Sequence, residues 1–287
     1  MIKSYLNIAF RNLWKHKIYS LINIVGLAMG MACFVLIALF VQDELRFEDF
    51  QAKADRLYRI SPPDYARTAP LLAPTLKSDV PEVESAVRLM RYYGVVRQEN
   101  RQFNEDKLFF ASPDFLDMFS LDFVTGPTTP NLEAPNTILI SESIAQKYFG
   151  EQPALGKSLY LDTTQLNVVG VFRDLPANTH LTIDMVASFK TFEQRGPNLD
   201  TWSNNIYYTY ALLREGVSGD QFQQQVNSLI SRHVHPLPNR QDYTLEVQNI
   251  KDIHLHSNKD MELTANGSIT HVYIFGSIAL IVLLVAG

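Results

Sequence analysis

The residues from Ile18 to Val41 form one apolar run, IYSLINIVGLAMGMACFVLIALFV, which contains no Asp, Glu, Lys, Arg or His. As a helix, the part from Leu21 onward would rise about 32 Å, at about 1.5 Å per residue. The hydrocarbon core of a bilayer is about 30 Å thick, so the run predicts a transmembrane helix over residues 18–41. A cleavable signal peptide has a shorter apolar region with a small-x-small site after it, and neither feature is present. We therefore interpret the run as a retained membrane anchor.

A second uncharged run, VYIFGSIALIVLLVAG, extends from Val272 to Gly287. As a helix it would rise about 24 Å, which is short for a complete span of a bilayer about 30 Å thick. We therefore predict that residues 271–287 begin a second transmembrane helix. The same observation predicts that this chain is part of a longer membrane protein.

The distribution of charge predicts how the chain is oriented. Residues 1–41 contain four basic residues and no acidic one: Lys3, Arg11, Lys15 and Lys17. The whole chain has 25 basic and 30 acidic residues, so the remainder is acidic. Because basic residues beside a span stay in the cytoplasm, we expect a cytoplasmic N-terminus and an exported segment over residues 42–270. The acidic balance of that segment argues against nucleic acid as a partner.

Residues 1–17, MIKSYLNIAFRNLWKHK, place apolar side chains on one helical face and basic or polar ones on the other. Together with the aromatic Trp14, the pattern predicts an amphipathic helix on the cytoplasmic leaflet that leads into the span. A plain helical extension of the span is the alternative.

Two glycines inside the first span have the spacing of a helix-contact motif. Gly26 and Gly30 are separated by three residues, and small residues at this spacing let another helix approach closely. We predict transmembrane helix packing at Gly26 and Gly30. The alternative is a chance pair, which is common in glycine-rich spans.

The exported segment alternates short strands and helices, which predicts a compact α+β domain. Alternation with a period of two residues indicates strands over residues 55–60, 85–93, 107–111, 137–140, 158–162, 166–172, 184–189, 206–213 and 243–250. A period of three to four residues indicates helices over residues 71–78, 113–119, 141–149 and 217–233, with Ser112 and Ser141 as N-caps. The single cysteine, Cys33, lies in the span, so the domain has no disulfides and must be stabilised by its own core.

The stretch FGEQPALGKS, residues 149–158, superficially matches a phosphate-binding loop. Such a loop has four residues between its first Gly and the Gly-Lys pair, whereas this stretch has five, one of them Pro153. Proline has no N–H to offer a phosphate. The stretch also follows a predicted helix and precedes a predicted strand, which reverses the required order. We interpret it as a turn that ends a helix.

The remaining candidate sites are weak. His233 and His235, and likewise His254 and His256, could each present two imidazoles to a metal if they lay on strands. The alternative to a metal site is that these histidines lie on the surface or in turns, and no cysteine accompanies them. No Ser lies in a Gly-x-Ser-x-Gly elbow, and the aromatic residues Trp202, Tyr207 and Tyr208 fit a core as well as a pocket. We therefore predict no catalytic, cofactor-binding or metal residues, and a chain that is not an enzyme.

Several segments, in this order, resemble bacterial ABC-transporter permeases of the MacB/FtsX type. They are SYLNIAFRNLWKHKIYSLINIVGLAMGMA, VQDELRFEDFQAKADRLYRI, SESIAQKYFGEQPALGKSL, VVGVFRDLPANTHL, IKDIHLHS and SITHVYIFGSIALIVLLVAG. The resemblance covers nearly the whole chain and rests on the order and spacing of these segments together.

The resemblance implies an inner-membrane permease with a periplasmic core domain over residues 42–270, followed by the start of an FtsX-like helix bundle. It implies a cytoplasmic ATPase that binds ATP, as a separate subunit or, in some members of the family, as a fused one. No ATPase sequence stands ahead of the first span in this chain, so we expect a separate subunit and no cofactor in the chain itself. A second permease copy, identical or not, and a periplasmic adaptor are the other expected partners besides the lipid bilayer. Mechanotransmission, in which ATP hydrolysis moves the periplasmic domains, would then drive efflux or the export of lipoproteins or peptides.

Two other classes of protein fit the same layout. A two-span sensor or chemoreceptor would carry an extracytoplasmic ligand-binding domain of this size. An exported hydrolase on a membrane anchor would need a catalytic constellation, which the sequence does not show. Further spans beyond residue 287 would favour the permease, and a cytoplasmic coiled coil or kinase would favour the receptor.

Overall fold

The computed structural model describes residues 11, 13–127 and 130–286. The chain divides into two units, one formed by Met1–Arg46 with Gly267–Gly287 and the other by Phe47–Asn266. The predicted amphipathic helix over residues 1–17 lies largely outside the described residues and stays a prediction. The domain bounds at residues 42 and 270 stay predictions as well.

The described residues form eight α-helices and ten β-strands, which confirms the α+β class. In chain order these are α1 (Lys17–Leu45), β1 (Leu57–Ser61), α2 (Leu72–Asp79), β2 (Val83–Gln98), β3 (Arg101–Ala111), α3 (Asp114–Met118), β4 (Phe123–Thr125), β5 (Thr137–Ser141), α4 (Glu142–Phe149), β6 (Ser158–Leu161), β7 (Thr164–Phe172), β8 (Met185–Ser188), α5 (Phe189–Glu193), β9 (Tyr207–Leu213), α6 (Gly219–His233), β10 (Glu246–Asn249), α7 (Ile250–His256) and α8 (Ile269–Ala286). A short 3-10 helix over Ala54–Arg56 precedes β1.

The helices α1 and α8 form the first unit. By length and composition α1 can cross a membrane, whereas α8 is apolar but shorter. None of the residues of α1 is buried within the structure. The two helices contact each other, and the rings of Phe40 and Phe275 meet edge-on with centroids 5.4 Å apart. An apolar surface this large is expected of a helix whose solvent is lipid.

The strands of the second unit form one sheet in the order β10-β1-β9-β2-β3-β8-β5-β7-β4, and β6 pairs with both β2 and β7. Strand β6 therefore closes β2, β3, β8, β5, β7 and β6 into a ring, because each is hydrogen-bonded to the next. Closure removes the free edges that an open sheet would expose. Strands β9, β1 and β10 continue the sheet away from the ring.

Three apolar cores stabilise this unit. Alternate residues of one strand point to opposite faces of the sheet and pack in different cores. Ile138 and Ile140 of β5 lie inside the ring, in a core to which all six ring strands contribute. Leu139, between them, belongs to a second core that includes Phe115 of α3 and Ile253 of α7. A third core lies under α2 and α6. Burial on both faces explains why these strands read as continuous apolar runs.

The local signals around α4 are confirmed by the structure. Ser141 caps the helix, since its Oγ accepts a hydrogen bond from the N–H of Ile144 at 3.3 Å. Gly150 ends the helix with a φ of +61°, a conformation that glycine adopts at little cost.

Three predictions of local structure are wrong in part. Strands β2 and β3 extend about five residues further than predicted, into a polar hairpin that turns at Glu99, where φ is +49°. Ser112 does not cap α3, because Pro113 occupies the cap position and makes no side-chain cap bond. The strand predicted over residues 243–250 is short, because the Asn249 side chain accepts a hydrogen bond from Lys251 N at 3.0 Å and starts α7.

Candidate functional site

The predicted helix-packing residues lie one turn apart on α1. A Cβ placed at Gly26 would meet no atom of the described residues within 4 Å, so this side of the helix is open. Gly30 is half-buried. The geometry leaves space for another helix at Gly26, and helix packing at Gly26 and Gly30 stays a prediction.

The stretch FGEQPALGKS is a turn in which the backbone donors of Gly156 and Lys157 are already used. The N–H of Gly156 donates to Val168 O at 2.9 Å, and the N–H of Lys157 donates to Ala154 O at 3.1 Å. Gly156 has a φ of +78°, which glycine adopts without a Cβ penalty. The N–H of Gly156 therefore donates to β7 and that of Lys157 donates within the turn, so neither is available to a phosphate.

The two His-x-His pairs do not lie on strands, so the premise of a shared strand face is wrong. His233 ends α6 and lies 2.7 Å from Asp79 Oδ2, whereas His235 Nε2 lies 3.0 Å from Tyr243 O. His254 is in α7, where its ring stacks on Phe47. Of the three aromatic residues, Tyr207 and Tyr208 are core residues of β9, and Trp202 packs beside the third core.

A buried carboxylate lies where the chain enters the second unit. Glu48, one residue after Phe47, has a φ of +65°, which is uncommon outside glycine. Its Oε1 accepts hydrogen bonds from the N–H of His180 and lies 2.8 Å from His180 Nδ1, and its Oε2 accepts from Thr179 Oγ1 at 3.1 Å. Its own N–H donates to Asn178 O at 3.0 Å. The connection between β7 and β8 thus holds the first residues of the unit.

The electrostatics of this carboxylate favour its ionised form. Burial alone would raise the pKa of Glu48, but the charge and hydrogen bonds of His180 hold that pKa below its ordinary value. Because an ionised carboxylate only accepts hydrogen bonds, His180 Nδ1 carries the hydrogen. A buried charge is tolerated when it is paired and hydrogen-bonded in this way.

His180 connects Glu48 to the sheet. Its Nε2 lies 2.8 Å from the hydroxyl of Tyr210, and both side chains are buried. Burial raises the pKa of Tyr210 well above its ordinary value, so the phenol stays protonated. A chain of hydrogen bonds therefore runs from Glu48 through one imidazole to β9.

A second buried charge lies near the end of the same unit. Arg59 of β1 is 1% exposed, and its guanidinium binds both carboxylate oxygens of Glu262, with Nη2 to Oε1 at 2.9 Å. Nη2 also donates to Gln248 Oε1 at 2.8 Å and Ser257 Oγ at 2.9 Å. Two-point pairing of a guanidinium with a carboxylate is strong and fixes geometry. Glu262 lies four residues before Asn266, the last residue of the unit.

The two sets of buried contacts reach the same face of the sheet. Arg59 and Tyr210 are directly opposite each other in the antiparallel register of β1 and β9, so their side chains share a face. We call Glu48, His180, Tyr210, Arg59 and Glu262 the chain-end network. It ties the first and last segments of the unit to neighbouring positions of the same sheet.

Further contacts hold the two segments in place. The Phe47 ring stacks on His254 with centroids 3.4 Å apart, and Gln51 Oε1 accepts from Ser120 N at 2.7 Å. At the other end, Tyr208 Oη donates to Met261 O at 2.8 Å, and Asn266 Nδ2 donates to Ser257 O at 2.6 Å. Both the first and the last segment of the unit are therefore fixed to the rest of it by specific contacts.

None of the five network residues was singled out from sequence, although a signal existed. In the strand LYRIS, period-two alternation puts Arg59 on the same face as the buried Leu57, and a buried arginine requires a partner. The resemblance pointed to the right segments: Glu48 and Arg59 lie in VQDELRFEDFQAKADRLYRI and His180 lies in VVGVFRDLPANTHL. Their convergence in space needed the structure.

Comparisons with known proteins identify the family of this chain. The family model described as MacB-like periplasmic core domain matches residues 20–229. A domain assigned to a permease protein from Porphyromonas gingivalis is 26% identical, with a TM-score of 0.57 over 69% of this chain and 89% of that chain. The periplasmic region of MacB from Actinobacillus actinomycetemcomitans shares the fold at 13% identity, with a TM-score of 0.54 over 70% and 91% of the two chains. No curated protein gives a significant match.

Proposed function

The chain belongs to the MacB-like periplasmic core domain family of ABC-transporter-type permeases, and on this premise we propose that it transmits motion. ATP hydrolysis by a separate cytoplasmic ATPase subunit would shift the membrane helices, and the shift would move the domain formed by Phe47–Asn266. The chain itself would be non-catalytic and would bind no cofactor, because ATP is bound by the partner subunit.

The observation that carries this proposal is the chain-end network. A force applied to a domain through its two ends reaches the core only if both ends are fixed to it. Here Glu48 is fixed through His180 to Tyr210, and Glu262 is fixed directly to Arg59. Because Tyr210 and Arg59 are opposed on adjacent strands, displacement of either end acts on the same part of the sheet. Packed elements with discrete arrangements are the physical carriers of such coupling.

The proposed location follows from the apolar helices and the charge distribution. A periplasmic core domain with an N-terminal apolar helix fits a protein of the inner membrane. We place the N-terminus in the cytoplasm and residues 42–270 in the periplasm, in a multi-pass protein, because the basic residues of the first 41 lie before and beside the span. A second permease copy and a periplasmic adaptor are the proposed partners, and efflux or the export of lipoproteins or peptides is the proposed outcome.

The experiment compares two buried carboxylates in the full-length protein, reconstituted with its ATPase. Glu48→Gln weakens the chain-end network, whereas Glu105→Gln is a matched control inside the ring region, where Glu105 accepts from Tyr148 Oη at 2.6 Å. Spin labels on the exposed positions Tyr93 and Tyr160 of each copy report the distance between domains with and without ATP. We expect ATP to change that distance in wild type and Glu105→Gln, and to change it far less in Glu48→Gln. An equal response in all three proteins, or no response in wild type, contradicts the proposal.

A further inference from the structure

A cleft of about 470 Å³ lies in the second unit beside the connection from β7 to β8. Most of its wall is that connection, and the rest comes from β3, α4 and the last segment of the unit. The lining residues are Lys107, Ser143, Asp174, Leu175, Pro176, Ala177, Thr179, Leu181, Thr182, Ile183, Asp184 and Thr264. None of the functions considered above accounts for this cleft.

The carboxylates of Asp174 and Asp184 in the cleft differ in their hydrogen-bond and ion-pair partners. Both oxygens of Asp174 accept hydrogen bonds from Ser143, one from its N–H at 3.1 Å and one from its Oγ. Asp184, by contrast, forms an ion pair with Lys107 Nζ at 3.6 Å, just outside hydrogen-bond distance. Its side chain is 35% exposed and accessible from the cleft.

The local charge balance is one ammonium group against two carboxylates. Burial raises the pKa of Asp184, Lys107 opposes this rise, and the negative charges of Asp174 and Glu105 add to it. The carboxylate of Asp184 is therefore only partly compensated by its neighbour. A second cation in the cleft would restore the balance.

We propose that this cleft binds a ligand with a primary ammonium group. The ammonium group pairs with the carboxylate of Asp184 and replaces its long contact to Lys107. The hydroxyls of Thr182 and Thr264 also line the cleft and can accept further ammonium hydrogens. Leu175 and Pro176 offer apolar contact to the carbon atoms that carry the amine. An ammonium group has three donors, and the cleft offers it a carboxylate with a long ion-pair contact and hydroxyl groups in the same wall.

The cleft shares its wall with the chain-end network. Thr179 donates to Glu48 Oε2 at 3.1 Å, and Thr182 donates to Leu263 O at 3.4 Å, one residue after Glu262. A bound ligand would therefore contact the segment that holds both ends of the unit. That consequence, a ligand that regulates coupling, rests on the proposed function, whereas binding itself does not.

Calorimetric titration of the detergent-solubilised protein tests binding with two amines, spermidine and the tripeptide amide Ala-Lys-Leu. We expect Asp184→Asn to weaken the affinity for the amine about tenfold, as for loss of a charge-assisted hydrogen bond. Asp106→Asn is the matched control, because Asp106 is the residue before Lys107 and is largely exposed outside the cleft. We expect Lys107→Met to tighten binding, since it removes the competing cation. The amine with the higher affinity distinguishes a free polyamine from a peptide as the source of the ammonium group.

Hydrogen exchange supplies a second readout that does not depend on affinity. The bound amine should slow exchange at the backbone amides of His180 and Leu181 in wild type, and should not do so in Asp184→Asn. Absence of binding by both amines overturns the proposal, as does an equal loss in Asp184→Asn and Asp106→Asn or preferential binding of Ca²⁺ over both amines. Any of these results leaves the ATP-dependent motion of the Glu48→Gln experiment unaffected, so the two proposals fail separately.

Discussion

Arg59 and Tyr210 are directly opposite each other on β1 and β9, and each is the end point of a buried chain of polar contacts. One chain leads to Glu48 at the start of the unit and the other to Glu262 near its end. Buried polar networks of this kind are costly unless every member is satisfied. Because removal of one member leaves its buried partner unsatisfied, substitutions at both ends of the unit should have large effects on stability.

The pH dependence of stability should reveal the ionised Glu48. Its pKa in the folded protein lies below the ordinary value of 4.5, so the unfolded state binds a proton more tightly. The stabilisation is therefore complete above about pH 4.5 and is lost as the pH falls through the lowered folded pKa. We expect the difference in unfolding free energy between wild type and Glu48→Gln to shrink over that interval, measured by denaturant titration at several pH values. A difference that is constant from pH 7 to pH 3 contradicts the assignment.

Removal of Arg59 should destabilise the unit strongly. Arg59→Met leaves the carboxylate of Glu262, whose side chain is 11% exposed, without its cation, and breaking a buried pair in this way costs about 3–5 kcal/mol. The double variant Arg59→Met with Glu262→Gln should recover part of that loss, because no unpaired charge remains. Chemical unfolding of the single and double variants measures both effects. If the two substitutions were simply additive, the direct pair would not be the source of the stabilisation.

Removal of the Tyr210 hydroxyl should change how much a substitution at Glu48 destabilises the unit. Tyr210→Phe leaves His180 Nε2 without its partner at 2.8 Å, and an unsatisfied buried group costs about 1–3 kcal/mol. Because Tyr210 and Glu48 are bonded to the same imidazole, the variants Tyr210→Phe and Glu48→Gln should be non-additive. Tyr243→Phe is the control: burial raises the pKa of Tyr243 to about 12, but it lies outside the network. Additivity of Tyr210→Phe with Glu48→Gln would show that His180 does not connect them.

The sequence predicted the elements whose signals are local. The helix α4 is set by its serine cap, its apolar face and Gly150, all within ten residues. The two apolar helices followed from composition alone. What could not be predicted depends on contacts between distant parts of the chain, such as the closure of the ring by β6 against β2. The polar hairpin of β2 and β3 was also missed, because its outer half has no apolar alternation.

The residues of the chain-end network could not be predicted either, because they too depend on contacts between distant parts of the chain. Glu48 and His180 are 132 residues apart in the chain, so no spacing rule brings them together. The His-x-His pairs, which do have a spacing rule, turned out to lie on helices and a turn where the rule does not apply. Arg59 alone carried a local signal, an arginine at a buried strand position.

The open position at Gly26 on α1 gives the last prediction. Gly26→Ile should leave the chain's own structure unchanged, because a Cβ at that position meets no described atom within 4 Å. If Gly26 and Gly30 pack against another helix of the assembled permease, the added side chain keeps the backbones apart and weakens assembly. Gly276→Ile on α8 is the matched control, since its Cβ would also meet no described atom within 4 Å. We expect less co-purification of a second permease copy and the ATPase with Gly26→Ile than with Gly276→Ile, at equal thermal stability. Equal recovery of both partners with the two variants would assign the open face of Gly26 to lipid contact instead.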